Sequence, residues 1–239
     1  MRRVLVTGGG TGIGRAIARS FAEEGDAVTI CGRRLEPLQE TAVGFDMQLR
    51  QADVTDEASV AKLFDQPFDV VVANAGIARN AKLTDLSLQD WNETLNVTLT
   101  GVFLTFRTAL PTMSKGGRLI AVASTASLQG GATLAAYSAA KHGVLGLVRS
   151  TAKEIAKSGV TCNAVCPGYV DTDMAQAAAT SVSKKFGTTE DKAMEMIVAA
   201  NPMRRLIAPE EVAASVLFLA SAGAASVNGH ALSVSGGEI

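Results

Sequence analysis

The chain of 239 residues alternates short apolar runs with longer segments that have helical periodicity. Most of the short runs are apolar on both faces, which is typical of strands buried between two layers of helices in a parallel sheet. The predicted strands are Val4–Val6, Ala27–Cys31, Met47–Gln51, Asp69–Ala73, Arg118–Val122, Val160–Val165 and Ala231–Val234. Since crossovers between parallel strands are right-handed, the alternation predicts a doubly wound α/β fold with helices on both faces of the sheet.

One segment, residues 171–209, interrupts this alternation with polar residues and two predicted helices, about Met174–Phe186 and Thr189–Ala200. The segment follows the carboxyl end of a predicted strand, where ligands bind in sheets of this kind. We therefore expect a small helical substrate lid at about 173–208, although a solvated pair of surface helices fits the same pattern. No linker, charge block or repeat divides the chain, which predicts a single domain over residues 1–239.

Charge and composition argue against several kinds of partner. The formal net charge is -1, so there is no electrostatic reason to expect nucleic acid or an anionic membrane. No apolar stretch approaches the roughly 18 residues needed to span a bilayer, and we expect a cytoplasmic protein. The 3 cysteines are too few for a disulfide framework or a metal site, so we expect buried thiols and no metal.

A glycine-rich loop, Thr7–Gly14, lies between the first predicted strand and the first predicted helix. A helix N-terminus offers unpaired N–H groups and the positive end of its dipole, which suits a pyrophosphate. A loop of this kind is also common as a plain structural turn, but its position in a βαβ unit favours a dinucleotide site. The candidate residues of the loop are Gly8, Gly10, Thr11, Gly12, Ile13 and Gly14.

The end of the second strand predicts which dinucleotide binds. An NAD site is expected to place an acidic residue there for the ribose 2′-hydroxyl, whereas this chain has Gly32 followed by Arg33 and Arg34. Guanidinium groups suit a 2′-phosphate through charge-assisted hydrogen bonds. We therefore predict NADP(H) in preference to NAD(H), with Arg33 as the leading contact; the alternative is that both arginines begin a solvated helix.

Tyr137 and Lys141 are four residues apart near the start of a long predicted helix, so they share one helix face. A phenol titrates near pKa ~10, and a nearby cation favours its ionised form. The pair is therefore a candidate for proton transfer at neutral pH. The spacing alone occurs often by chance.

Together with the glycine loop, this pair resembles the pattern of the short-chain dehydrogenase/reductase family over essentially the whole chain. The motifs that carry the resemblance are, in order, Thr7–Gly14, Asp53-Val54, Asn74-Ala75-Gly76, Asn96, Ser124, Tyr137 with Lys141, and Pro167-Gly168 with Thr172. The resemblance implies a single-domain Rossmann fold with a seven-stranded parallel sheet, and hydride transfer between a nicotinamide and a carbonyl or alcohol carbon.

The resemblance also implies roles for four catalytic residues. Tyr137 is the general acid in reduction and the base in oxidation, and Lys141 lowers its pKa and bonds the nicotinamide ribose. Ser124 stabilises charge on the substrate oxygen, as an oxyanion-hole donor does, with Thr125 and Ser127 as its competitors. Asn96 holds a water that connects Lys141 to solvent.

A second group of residues is implied to bind the cofactor. The expected contacts are Asp53 and Val54 at the adenine, Asn74, Ala75 and Gly76 beneath the cofactor, Val170 and Thr172 at the carboxamide, and the neighbouring Pro167 and Gly168.

Within the family, the run Val165–Met174 and the run Asn201–Arg205 resemble the branch of 3-oxoacyl-thioester and polyketide ketoreductases. That branch implies reduction of a 3-oxoacyl thioester, with Lys184 and Lys185 attracting the phosphates of coenzyme A or acyl carrier protein. A broad ketone or alcohol dehydrogenase is the main alternative; a sugar or polyol enzyme and a non-catalytic NADP(H)-binding regulator are further ones. The family also implies a homotetramer assembled through the two long helices.

Overall fold

The structure is a computed structural model that describes residues 1–199 and 201–239. Its strands are β1 (Arg3–Thr7), β2 (Ala27–Gly32), β3 (Met47–Gln51), β4 (Val70–Ala73), β5 (Arg118–Val122), β6 (Thr161–Pro167) and β7 (Ala231–Val234). They form one parallel sheet in the order β3-β2-β1-β4-β5-β6-β7. The predicted doubly wound Rossmann-type fold with seven parallel strands is therefore confirmed.

Helices connect the strands on both faces of the sheet. They are α1 (Gly12–Glu23), α2 (Leu35–Ala42), α3 (Glu57–Ala61), α4 (Leu88–Leu95), α5 (Gly101–Ala109), α6 (Ala135–Ile155), α7 (Asp173–Phe186), α8 (Glu190–Val198) and α9 (Pro209–Ala220). Between β4 and β5, a π-helical segment, Asn96–Thr100, joins α4 to α5. The predicted second lid helix is α8; its expected end at Ala200 lies outside the described residues.

Alternate residues of the central strands enter two separate cores, one on each face of the sheet. Leu5, Val71 and Leu119 pack into the core that holds α5 and α6. Their neighbours along the same strands, such as Val4 and Ile120, pack into the core that holds α1 and α9. Because both faces are covered, these strands have no polar face, and this is why their sequences read as continuous apolar runs.

The order of the strands determines where a ligand can bind. The chain moves outward from β1 to β2 and β3, and then returns to place β4 on the other side of β1. The connections therefore diverge between β1 and β4, and they leave a crevice at the carboxyl ends of these strands. All of the chemistry-bearing residues described below lie at this edge.

Helices α7 and α8 pack on each other through a small cluster of their own, Ala179, Ala193 and Ile197. A bridge between Val170 and Ile207 closes the base of this pair. The two helices predicted for the lid region are therefore present.

The C-terminal residues fold back over the end of β7. The Glu238 N–H donates to the Ser235 carbonyl at 3.3 Å, and the Ile239 N–H donates to Ser235 Oγ at 3.4 Å. Within the part of the chain that the structure describes, no helix has the length and apolar character needed to cross a membrane.

Candidate active site

The glycine loop is tied to the end of β4 by two polar side chains. Thr7 Oγ1 accepts hydrogen bonds from the N–H groups of Asn74 and Ala75 at 3.0 and 3.1 Å. In return, Asn74 Nδ2 donates to the carbonyls of Thr7 and Gly8 at 3.0 and 3.1 Å. The loop and the Asn74-Ala75-Gly76 segment are thus held on opposite walls of one crevice.

Close backbone packing explains the glycine at position 14. A β-carbon there would lie 2.1 Å from the Gly8 carbonyl oxygen, so no side chain fits. The first turn of α1 therefore lies directly against the loop, and its N-terminal N–H groups face the crevice. This cradle fits the pyrophosphate of a dinucleotide.

A nucleotide cleft of about 280 Å³ extends from this loop toward α6. It brings together most of the residues that the sequence assigned to the cofactor. Those that line it are Gly8, Thr11, Gly12, Ile13, Gly14, Arg33, Asp53, Val54, Asn74, Ala75, Gly76, Tyr137, Lys141 and Thr172. The sequence did not single out Gly32, Ala52, Ile77, Val97, Val122, Ala123, Asp173 and Met174, which line it as well.

The two arginines after β2 have different positions. Arg33 lines the nucleotide cleft, close enough to Asp53 to help lower the pKa of that carboxyl, although the main cause is the hydrogen bond from the Thr55 N–H. Arg34 is the N-cap residue of α2 and is absent from the cleft wall. The geometry therefore supports Arg33 as the phosphate contact and does not support Arg34.

Four other predicted cofactor residues lie outside the nucleotide cleft. Gly10 packs against α2, where a β-carbon would lie 3.0 Å from Pro37 Cβ. Pro167, Gly168 and Val170 instead line a second cavity of about 270 Å³, which we call the substrate cavity. It is bounded by the Ser124–Gly131 region, by the segment after β6 and by α7.

Tyr137 lines both cavities, so the nucleotide cleft and the substrate cavity meet at its side chain. Ser124 lines the substrate cavity from the end of β5. The Ser124 hydroxyl accepts a hydrogen bond from the Ala126 N–H at 3.1 Å, and the Ser127 hydroxyl accepts one from the Ser124 N–H at 3.1 Å. Among the three candidate hydroxyls, Ser124 is the one that forms a hydrogen bond with Tyr137.

Lys141 is buried, with 3% of its surface exposed, and it donates to the Val122 carbonyl at 2.6 Å. Its Nζ lies 5.7 Å from the centre of the Tyr137 ring. Because burial disfavours the ammonium, the pKa of Lys141 falls from 10.5 to about 8.

The pKa of Tyr137 differs from the sequence expectation. Burial raises it above its usual 10, and a hydrogen bond with Ser124 only partly offsets this effect. The expected lowering by Lys141 is absent here: the Lys141 ammonium donates to the Val122 carbonyl, and it is not among the groups that shift the pKa of Tyr137. Tyr137 consequently holds its proton at neutral pH.

The structure does not place Asn96 beside Lys141, as its expected role in holding a water next to that lysine requires. Asn96 is exposed and lines a separate shallow cavity beside Arg33 and Asp53, away from Lys141. Thr98 is fully buried instead, and its hydroxyl accepts from the Ile77 N–H and donates to the Ile77 carbonyl, both at 3.1 Å. The sequence analysis missed Thr98 because the π-helical segment changes which residues of this helix face the sheet.

Thr98 lies beside Lys141, the candidate catalytic lysine. A β-carbon at Gly76 would lie 3.6 Å from Thr98 Oγ1 and 3.7 Å from Lys141 Nζ. Thr98 therefore holds the Gly76–Ile77 backbone in place against Lys141, as a positioning residue.

We predict that Thr98→Val lowers kcat/KM by about tenfold, because it leaves the N–H and the carbonyl of Ile77, both partly buried, without their hydrogen-bond partner. Asn96→Ala is the matched control on the same π-helical segment and should change kcat/KM by less than about twofold. Steady-state kinetics with the preferred substrate measure both. An inactive Asn96→Ala beside a fully active Thr98→Val would restore the original expectation.

Comparison with known proteins supports the resemblance to the short-chain dehydrogenase/reductase family. The family model described as "Enoyl-(Acyl carrier protein) reductase" matches residues 8–238. The chain is 38% identical to a "Putative ketoacyl reductase" of Streptomyces coelicolor, covering 98% of this chain and 95% of the relative. It is 36% identical to a 3-oxoacyl-(acyl-carrier-protein) reductase of Aquifex aeolicus, covering 98% and 95%.

Among solved structures, a variant of actinorhodin polyketide ketoreductase with NADPH superposes with a TM-score of 0.94 at 36% identity, covering 99% of this chain and 97% of that one. The similarity therefore extends over nearly the whole of both chains. The chain therefore belongs to the short-chain dehydrogenase/reductase family and is an oxidoreductase.

Proposed function

We propose that this oxidoreductase reduces the ketone of a 3-oxoacyl thioester to the 3-hydroxyacyl thioester, with NADPH as the cofactor. The observation that carries the proposal is the position of Tyr137, which lies where the nucleotide cleft joins the substrate cavity, beside Ser124. A carbonyl carbon next to Tyr137 is then within reach of both cavities.

Ser124, Tyr137 and Lys141 have separate roles in the reduction of the carbonyl. When bound, the nicotinamide supplies the hydride. Ser124 donates a hydrogen bond to the substrate oxygen and stabilises the negative charge that develops there. Tyr137 gives its proton to the same oxygen, and the burial that raises its pKa keeps that proton available at neutral pH. Lys141 lies one helical turn from Tyr137 and next to Gly76, where it orients this wall of the nucleotide cleft.

The shape of the substrate cavity supports an acyl substrate. Its wall on the α7 side is formed by Met174 and three alanines, which suits an apolar chain. At the other end of α7, Lys184 and Lys185 are exposed and available to a carrier phosphate. We assign the segment 173–208 as the lid over this cavity. The relatives described as ketoacyl and 3-oxoacyl-(acyl-carrier-protein) reductases support this substrate class.

The chain presents an apolar outer surface on the α4–α5 side, where Leu88 is 73% and Phe103 is 40% exposed. We propose that this side and α6 are buried in a homotetramer; light scattering at the mass of a monomer would exclude it. The cytoplasmic location stays a prediction.

A substrate panel tests the reaction directly. We expect NADPH-dependent reduction of acetoacetyl-CoA with a kcat/KM at least tenfold above that for simple ketones of similar size. Crotonyl-CoA, which offers a carbon–carbon double bond in place of the ketone, should give no turnover. Equal rates with simple ketones would favour a broad ketone reductase, and oxidation of NADPH by crotonyl-CoA alone would favour enoyl reduction.

The cofactor preference is tested by a pair of adjacent substitutions. Arg33→Ala should lower kcat/KM for NADPH by about tenfold to a hundredfold, because a charge-assisted hydrogen bond to phosphate contributes about 1.5–3 kcal/mol. The value for NADH should hardly change. Arg34→Ala is the control, since Arg34 lies outside the nucleotide cleft. A parallel loss with both cofactors, or a larger loss in Arg34→Ala, contradicts the proposal.

A further inference from the structure

The substrate cavity contains a charge that the proposed reaction does not use. Among the described residues that line this cavity, Glu238 carries the only formal charge, and neither arginine nor lysine faces it there. The same wall holds Ser124 and Tyr137. A substrate whose ketone meets these two residues therefore extends through a space whose single charge is negative.

The Glu238 carboxylate is held in place from two sides. Its Oε1 accepts a hydrogen bond from Gln129 Nε2 at 2.9 Å. Its backbone is fixed by the turn with Ser235 at the end of β7. The position of the carboxylate is therefore set by the fold and does not depend on a freely rotating surface side chain.

The second carboxylate oxygen, Oε2, is buried and meets no hydrogen-bond donor in the part of the chain that the structure describes. The Thr125 hydroxyl is near enough to favour ionisation, but it forms no hydrogen bond of good geometry with Oε2. Burial is the stronger effect and raises the pKa of Glu238. Because Oε2 is covered by protein atoms, it is closed to a ligand, and Glu238 acts on the cavity that it lines through its charge.

Gly168 allows the carboxylate to reach this position. A β-carbon at Gly168 would lie 2.9 Å from Glu238 Oε2, so a larger residue would push the carboxylate away. Oε2 thus lies against the Pro167–Gly168 turn at the edge of the substrate cavity.

We propose that Glu238 selects substrates by charge: it admits uncharged 3-oxoacyl compounds and excludes free 3-oxo acids. The inference rests on the proposed function and names its substrate class. A thioester or an ester of the same acyl group brings no charge into this cavity. A free acid instead brings a second carboxylate into a cavity that holds no cation to balance it.

Three substrates that share one 3-oxobutanoyl group test the proposal: acetoacetate, ethyl acetoacetate and the N-acetylcysteamine thioester of acetoacetate. Glu238→Gln should raise kcat/KM for acetoacetate, relative to ethyl acetoacetate, on the order of tenfold or more, as expected for removal of a like charge at short range. Glu238→Asp keeps the charge and should keep the exclusion of acetoacetate. Glu24→Gln, an exposed carboxylate outside both cavities, is the matched control and should leave the ratio unchanged.

A ratio within about twofold of the wild type in Glu238→Gln overturns the proposal. If Glu238 only anchors the C-terminus, all three substrates lose activity together and the ratio stays constant, which also overturns it. A melting curve of each variant shows whether the fold is intact, and Glu238→Ala, which also removes the charge, provides the ratio if Glu238→Gln unfolds.

The failure of the proposed function is a separate result. An enzyme that reduces ethyl acetoacetate but not the thioester refutes thioester reduction, while the ratio of acetoacetate to ethyl acetoacetate still tests Glu238. If turnover is too slow with all three, calorimetric titration of acetoacetate and ethyl acetoacetate into the protein with NADP⁺ measures the same selection as a ratio of dissociation constants. Equal binding of the two, or binding of neither, overturns the proposal.

Discussion

The pairing of β1 with β4 is the constraint on which the site depends. Val4, Leu5 and Val6 lie opposite Val70, Val71 and Val72, and the six residues are almost fully buried. This register places Thr7 beside Asn74, and their hydrogen bonds then bring the glycine loop and the Gly76 segment to the same crevice. Most of the residues of the nucleotide cleft follow strand ends of this sheet, whereas Val97, Tyr137 and Lys141 reach it from helices.

Burial then determines the electrostatics of the catalytic residues. It raises the pKa of the Tyr137 phenol and lowers that of the Lys141 ammonium, because both groups are disfavoured in their charged forms. For Lys141, whose folded-state pKa lies below its unfolded value, the buried ammonium destabilises the fold by about 3 kcal/mol at pH below about 8. That cost is relieved as the pH rises from about 8 toward 10.5. The buried Lys141 ammonium beside the Tyr137 phenol thus makes the folded state less stable at neutral pH.

Most of the fold was predictable from the sequence because its strands are apolar on both faces, a pattern that few other structures produce. The nucleotide loop and Arg33 were predictable because their positions follow strand ends. Asn96 was assigned wrongly because a π-helical segment shifts the inward-facing positions, and no pattern in the sequence marks it. Arg34 and Gly10 are adjacent in sequence to residues that line the cleft, but Arg34 is the exposed N-cap residue of α2 and Gly10 packs against that helix, which only the three-dimensional structure reveals.

Glu238 was not predictable for a different reason. It lies next to the C-terminus, and it reaches the substrate cavity only because the chain turns back at Ser235 and because Gly168 leaves room for the carboxylate. Contacts between residues so far apart in sequence depend on the order of strands β5, β6 and β7. The candidate catalytic residues could therefore be identified from the sequence, whereas Glu238, which we propose selects the substrate, could be placed in the cavity only from the structure.

The central claim is that Tyr137 transfers the proton and contributes little to cofactor binding. Comparing Tyr137→Phe with the wild type, by single-turnover reduction and by NADPH fluorescence titration on the same samples, tests it most directly. We expect the rate of reduction to fall by about 10³-fold, within the range for loss of a general acid, while the NADPH dissociation constant changes by less than about threefold. A Tyr137→Phe enzyme that keeps a tenth or more of the wild-type rate, or one that loses NADPH binding in proportion to its rate, would contradict the account.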